Sequence, residues 1–406
     1  MKPATHKTQN ARMTKQGMDA KTLALGIVPL LLLSGLVALF FTHGPVGIIK
    51  TTFPPVEHLS FERVELREQM IVAHVINDGP DAVTIAQVAV NDAYWRFEAT
   101  KTRLEPRESA VLSVPYDWTD AEPVNVAILT ATGVRFGHEI AVATLSPQPS
   151  AELFTAFAII GIYVGVVPVF LGLLWIPFLR RLGKRALNFL LALTIGLLLF
   201  LGVDALAEAL ETAAGVPQIY QGPAIVLIGF TTVILVLMAV QHYSRHKHKT
   251  AGESRLLGLA YLVAVGIGLH NLGEGLAIGS AYAIGEVSLG TALVLGFMLH
   301  NITEGIAIAA PIAKEARNIP RFLRHVLQLG LIAGAPVILG TWLGGFSYSA
   351  TLTTLFLAVG AGAAFQVVIS IVEHFLSQKE DLFTPWNVAG VLCGMGFMFL
   401  TGMLVV

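Results

Sequence analysis

Nine apolar stretches, each long enough for a membrane-crossing helix of about 20 residues, dominate this 406-residue chain and leave few folds open to it. They lie near 23–41, 154–179, 188–210, 222–241, 256–281, 288–312, 322–345, 350–371 and 386–405. Backbone in hydrocarbon must satisfy its own hydrogen bonds, so such stretches become helices. Charged residues are 13% of the chain, about half the share of a soluble domain. A formal net charge of -1 excludes a broad basic face, and with it nucleic acid as a partner. Cys393 is the only cysteine, which excludes an internal disulfide and a thiolate metal site. Inside an apolar stretch it reads as a small packing residue.

Lysine and arginine order the segments. The N-terminal tail, 1–22, carries Lys2, Lys7, Arg12, Lys15 and Lys21, which places it in the cytoplasm. Counting forward, the next cytoplasmic loops hold Arg180, Arg181, Lys184 and Arg185, then Arg245, Lys247, Lys249 and Arg255, then Lys314, Arg317 and Arg321, and last Lys379. The opposite short loops, 211–221, 282–287 and 346–349, contain no lysine or arginine. The pattern predicts a multi-pass protein of the cell (plasma or inner) membrane with its C-terminus outside. Segment 23–41 exceeds a usual signal-peptide core and lacks a small-x-small site after Phe41, so it reads as a retained anchor over a cleaved signal peptide.

Residues 50–148 differ in kind. Alternating runs at Met70–Ile76, Val83–Val90, Ala110–Pro115, Val124–Leu129 and Glu139–Leu145 are parted by turn signals such as Asn77-Asp78-Gly79-Pro80. This spacing predicts an immunoglobulin-like antiparallel β-sandwich outside the membrane. Tyr94, Trp95, Phe97, Tyr116, Trp118 and Phe136 are candidates for its core. Its histidines His58, His74 and His138 stand far apart and read as core or solvated residues. Pro147-Gln148-Pro149-Ser150 reads as the linker to the bundle, 152–406.

Inside that bundle one motif occurs twice. Leu269–Gly279 and Leu299–Ala309 share seven of eleven residues, including His270, Asn271 and Glu274 in one copy and His300, Asn301 and Glu304 in the other. Ionisable groups at such depth are costly and are functional by default. Successive helical residues turn by about 100°, so each glutamate projects about 40° from its histidine, between histidine and asparagine. A carboxylate placed there suits a bridge between two ions. The primary site would use His270, Glu274, His300 and Glu304; a harder, all-oxygen site would use Asn271, Asn301 and the same glutamates. Imidazole with carboxylate suits zinc first, and also iron, manganese, cobalt and cadmium. Gly275 and Gly305 permit close packing that brings the ligand sets together. Pro311 kinks or ends its helix.

Other polar residues mark a candidate path. Asp204, Glu208 and Glu211 make an acidic face, read either as a cation funnel or as an exposed helix end. His242, His246 and His248 lie in a basic run that serves as a positive-inside flank or as transient metal capture. Gln366 lies deep, and Glu373 and His374 close their segment.

At these residues the chain resembles the ZIP (Zrt/Irt-like) family of divalent metal-ion transporters, in its GufA-like prokaryotic branch. The resemblance covers about 152–406 and rests on His270-Asn271-Leu272-Gly273-Glu274-Gly275 and His300-Asn301-Ile302-Thr303-Glu304-Gly305. It implies an eight-helix bundle with inverted repeats, a binuclear metal centre, and inward transport by one block sliding on the other. It also implies exit ligands at Glu373 and His374. Gly273 and Thr303 stand where many members carry proline, and Gly330–Gly340 lacks the acid that some members supply. The anchor and β-sandwich lie outside the resemblance. The expected function is transmembrane transport of divalent metal, not an enzyme activity. An intramembrane zinc-dependent hydrolase is the alternative, disfavoured by the symmetric double ligand set. The expected partners are metal ions and the bilayer, with a homodimer and an envelope partner for the β-sandwich left open.

Overall fold

A computed structural model of the chain describes residues 20–43, 54–248, 255–283, 287–313, 319–347 and 349–403. The chain divides into a unit ending at Val56 and a unit beginning at Glu57. The first holds helix α1 (Ala20–His43), which carries Pro29 and whose described side chains, 27–40, are all exposed. Most of the basic tail lies outside the described residues, as do the loop cations Lys249, Lys314 and Arg317.

The second unit opens with nine antiparallel strands: β1 (Leu59–Arg67), β2 (Met70–Asn77), β3 (Val83–Val90), β4 (Ala93–Trp95), β5 (Glu98–Ala99), β6 (Arg103–Leu104), β7 (Ser109–Pro115), β8 (Val124–Thr130) and β9 (Arg135–Ile140). One sheet runs β1-β2-β7-β5 and the other β4-β3-β8-β9, with β6 paired to β3. Alternating apolar residues of both sheets, among them Ile71, Val75, Val88, Leu112, Val126 and Ile128, fill the space between them. The strand β1 carries no clean alternation and is absent from the sequence expectation. The last strand is Arg135–Ile140, upstream of the expected Glu139–Leu145. The core is aliphatic. Phe97, Tyr116, Trp118 and Phe136 pack on its margin. Tyr94 and Trp95 stay exposed, because β4 is an edge strand reached through a tight turn at Asn91 and Asp92, both at positive φ.

The remainder is helical. A first rod comprises α2 (Ala151–Gly161), a π-helical turn at Ile162–Val166, α3 (Val167–Leu173) and α4 (Ile176–Leu179). Then follow α5 (Lys184–Thr212), α6 (Gly222–His248), α7 (Arg255–Ala283), α8 (Val287–Ile312), α9 (Ile319–Gly334), α10 (Pro336–Phe346), α11 (Ala350–Ser377) and α12 (Pro385–Gly402). Pro311 sits one residue before the end of α8. Among the described residues seven helical rods are long and apolar enough to cross a membrane: 151–179, 184–215, 218–243, 256–283, 289–312, 319–346 and 350–377. The 18-residue α12 begins Pro385-Trp386-Asn387 and is not among the seven. Cys393 on α12 is exposed, so it does not fill a core position.

The helices sort into two groups. α7, α8, the α2–α4 rod and the α9–α10 rod pack on one another; α5, α6, α11 and α12 form a second set; α11 leans on α7. Within each group backbones touch. A Cβ on Gly275 would lie 2.2 Å from the Val337 carbonyl oxygen, and one on Gly394 2.2 Å from that of Leu193. Such approach is possible only for glycine, and it sets each group's spacing.

Candidate metal centre

α7 and α8 run side by side, and each contributes one copy of the His-Asn-x-x-Glu-Gly motif. The terminal glycines of the motifs dock both helices onto their partners. Gly275 meets α10, and a Cβ on Gly305 would lie 2.2 Å from the Val169 carbonyl oxygen of α3. That close packing holds the motifs at one place.

His270, Glu274, His300 and Glu304 are all buried, and one ligand-capable atom from each lies within 4.8 Å of the other three. Glu274 is the hub. Its Oε1 lies 3.1 Å from His270 Nε2 and also meets His300 Nε2 on the neighbouring helix. Its Oε2 accepts from Asn301 Nδ2 at 3.1 Å. The carboxylate therefore joins His270 of its own helix to His300 and Asn301 of the neighbouring one, where the helical angles point it between His270 and Asn271.

Asn271 and Asn301 are wholly buried. Asn271 Nδ2 donates to the Ala333 carbonyl at 3.0 Å, and Asn301 Nδ2 donates to the Val164 carbonyl at 3.1 Å. Both carbonyls lie at breaks in their helices that are written in the chain. In an α-helix the Val164 oxygen would receive the N–H of residue 168, but that residue is proline and the helix passes through a π turn there. Ala333 lies in the last turn of α9, before the break at Ala335-Pro336, where carbonyls lose helical partners. Each asparagine is thus seated by its nitrogen on a carbonyl at a helix break. The Oδ1 atoms of both asparagines and both carboxylate oxygens of Glu304 make no hydrogen bond of normal geometry among the described residues, although the Asn271 amide lies close to Glu304. Pro168 and Pro336 were the available signals for these seats, and motif spacing alone does not single them out.

The other candidates fall elsewhere. Asp204, Glu208 and Glu211 lie on one face of α5, outside the four-residue His/Glu cluster, but Glu208 comes within electrostatic reach of His270 and Glu274. Gln366 is wholly buried between α6 and α11, where its Nε2 donates to Gln241 Oε1 at 3.1 Å and Ser370 Oγ at 3.0 Å. Glu373 and His374 are half-buried near the end of α11. His374 lines a cavity of about 260 Å³ with Lys184, Asn188, Gln378 and Glu380. Glu380 closes it through an ion pair with Lys184 and a 3.1 Å bond from Asn188. The side chains of His246 and His248 lie outside the described residues.

Over 166 residues the chain is 26% identical to the zinc transporter ZIP6 of Homo sapiens and to that of Pongo abelii. The matched stretch covers 39% of this chain, and the chain spans only 22% of the length of either relative. No protein-family profile matches the chain. Among solved structures, the archaellum periplasmic stator protein FlaG from Sulfolobus acidocaldarius aligns over 21% of this chain and 99% of its own, at 12% identity and a TM-score of 0.19. With seven membrane-length rods and the likeness to ZIP6, the chain is a multi-pass membrane protein that carries a buried His/Glu cluster.

Proposed function

We propose that the chain is a transporter of the ZIP type, GufA-like branch, that carries divalent metal ions, zinc foremost, into the cytoplasm through the centre on α7 and α8. The observation that carries this reading is the state of Glu304. The imidazoles and Glu274 satisfy one another and could be interhelical glue alone. Glu304 is less well served. A carboxylate buried in an apolar bundle with the Asn271 amide nearby but no well-formed hydrogen bond is costly, and a bound cation removes that cost.

His270, Glu274, His300 and Glu304 would hold the ion. Tetrahedral zinc places its ligands about 3.3 Å apart, so the present cluster closes by a small inward swing of side chains. Asn271 Oδ1 and Asn301 Oδ1, left free by the carbonyl seats, would join the two glutamates in a second site. Oxygen-rich, thiolate-free coordination suits release as well as capture. The likeness to ZIP6 supports zinc as substrate and argues against an enzyme.

The bundle would be an eight-helix unit, 152–406, with α12 as the eighth helix. The Gly165–Pro168 break in the first rod and the Gly334–Pro336 break between α9 and α10 seat the two asparagines in matching fashion, which supports inverted repeats. Alternating access would come from one helix group sliding on the other. At the α7–α11 seam the nearest atoms to Gly266 and Gly273 belong to the Val367 and Leu357 side chains, and Gly360 meets the His270 backbone at 3.1 Å, looser than the 2.2 Å approaches of Gly275, Gly305 and Gly394 to carbonyl oxygens within the groups. Residues 23–41 would anchor the chain, and 50–148 would form an extracytoplasmic immunoglobulin-like domain.

Cobalt(II) titrated into the detergent-purified full chain tests the centre. The visible bands of a four-coordinate ion are expected in wild type and in Glu373→Ala, and should vanish in Glu304→Ala. Bands that persist in Glu304→Ala would remove the basis of the proposal.

A further inference from the structure

Among the described residues two hydrogen bonds join the β-domain to the bundle, and they reach different helix groups. On the first side, Arg63 Nη1 donates to the Phe346 carbonyl at 3.3 Å. The Phe346 ring packs on Phe154 and Phe157 of α2, with centroids 4.5 and 5.2 Å apart, so this contact is fixed to the group that holds α7 and α8. Glu65 pairs with the Arg63 guanidinium at 2.9 Å and keeps it extended. The connecting chain strengthens the attachment. Leu66 N–H donates to Ser146 Oγ at 2.9 Å, Ser146 N–H returns a bond to the Leu66 carbonyl at 2.8 Å, and Ser150 caps α2 through the Leu153 N–H.

On the second side the tie runs through a carboxylate, that of Asp78. The Asp78 side chain is completely shielded from solvent. Its Oδ1 meets His58 Nδ1, and its Oδ2 accepts from Ser60 Oγ at 2.7 Å and from the Gln218 backbone N–H at 2.9 Å. Gln218 lies between α5 and α6, in the other helix group. The turn that presents Asp78 is itself held, because Asn77 Oδ1 accepts from the Gly79 N–H at 3.0 Å and Asn77 Nδ2 donates to the Leu104 carbonyl at 2.9 Å. A rigidly presented carboxylate on a backbone N–H makes a charge-assisted bond, shielded here from competing water.

We infer that the β-domain is a strap: it travels with the α7–α8 group and grips the α5–α6 loop through Asp78, opposing displacement of one group along the other. This rests on the sliding mechanism proposed above. A domain attached to one group alone would leave that displacement unaffected. Here the displacement has to break the Asp78–Gln218 bond.

Two variants remove the grip from opposite sides. Asp78→Ala deletes the acceptor, and Gln218→Pro deletes the donor N–H while leaving every β-domain residue in place. Spin labels at Tyr220→Cys and Val287→Cys, both exposed sites on different groups, report the separation of the groups in a Cys393→Ser background. Zinc uptake into liposomes is measured on the same full-length proteins. The expected result is a second distance population in both grip variants and an initial uptake at least twofold above that of the labelled parent. Distance distributions that superimpose on the parent's, while the parent takes up zinc, would overturn the strap and leave the transport reading standing. A changed distribution with no uptake by any of the proteins would support the strap and overturn the transport reading.

Discussion

His300 on α8 meets the Oε1 atom of Glu274 on α7, the same oxygen that lies 3.1 Å from His270. One oxygen therefore joins both motifs, and the centre depends on it more than on either imidazole alone. Glu274→Gln keeps the volume but replaces a shared anionic acceptor with an amide. Zinc affinity is expected to fall at least about 100-fold, or about 2.7 kcal/mol, in competition titrations against a chelator. A fall of less than about threefold would show that Glu274 serves only as interhelical glue.

Glu304 makes the opposite trade. Its two oxygens, buried without a well-formed hydrogen bond, burden the metal-free protein and serve the metal-bound one. Glu304→Gln should raise the metal-free melting temperature, in line with a relieved desolvation cost of about 1–3 kcal/mol. It should also abolish the further rise that zinc gives wild type, which is about 2.7 kcal/mol at 100 times the dissociation constant. Differential scanning fluorimetry with and without zinc reads both effects. An unchanged zinc response in this variant would contradict the role assigned to Glu304.

Pro168 acts on the centre without touching it. Pro168→Ala restores an N–H that competes for the Val164 carbonyl, and Asn301 then loses the seat that turns its Oδ1 outward. Loss of such an outer partner typically weakens metal binding by about 10–100-fold, and a value near the lower end is expected here. Pro311→Ala, in the last turn of α8, should leave affinity unchanged. Equal behaviour of the two variants would refute the carbonyl-seat account.

Much of the centre was legible in the sequence, because helical angles act locally and the motif occurs twice. His270, Glu274, His300 and Glu304 follow from spacing, and the structure gathers all four. What spacing cannot convey is the partner each side chain meets on another helix. The seats of Asn271 and Asn301 depend on breaks in rods more than 60 residues distant, at Ala333 and Val164. In the β-domain, Val83–Val90 was legible to the residue because apolar β-branched residues recur along it, even though its alternation shifts at a bulge between Ile85 and Gln87. Strand β1 was not, since Arg63, Glu65 and Arg67 fall on one face, where Glu65 is buried among its ion pairs with Arg63, Arg67 and His74. Tyr94 and Trp95 look like core residues by composition and are exposed by position, on an edge strand.

The β-domain should be acid-sensitive. Burial alone would raise the Asp78 carboxyl, but the bonds from His58, Ser60 and the Gln218 N–H outweigh it and hold the group below the ordinary carboxylate range. Glu65 behaves alike: burial pushes it up, and the Arg67 hydrogen bond with the charges of Arg63, Arg67 and His74 brings it below its ordinary value. A carboxyl lower in the folded than in the unfolded state stabilises the fold above the unfolded value, about pH 4, and that contribution is lost as pH falls through the folded value. Amide protection in β2 and β7 should therefore be level from about pH 8 to pH 5 and decline at lower pH. Asp78→Asn should show a lower plateau and a shallower decline. Protection in the wild type that is level down to pH 2 would contradict this.

The account stands or falls on whether ions cross at the α7–α8 centre. The most direct measurement is zinc entry into liposomes that hold a zinc-sensitive dye, comparing the full chain with its His270→Ala/His300→Ala double variant. Gradient-driven influx through wild type, and none above protein-free liposomes through the double variant, is the predicted result. Wild type that binds zinc yet moves none under any gradient or pH, or a double variant that transports as fast as wild type, would contradict it.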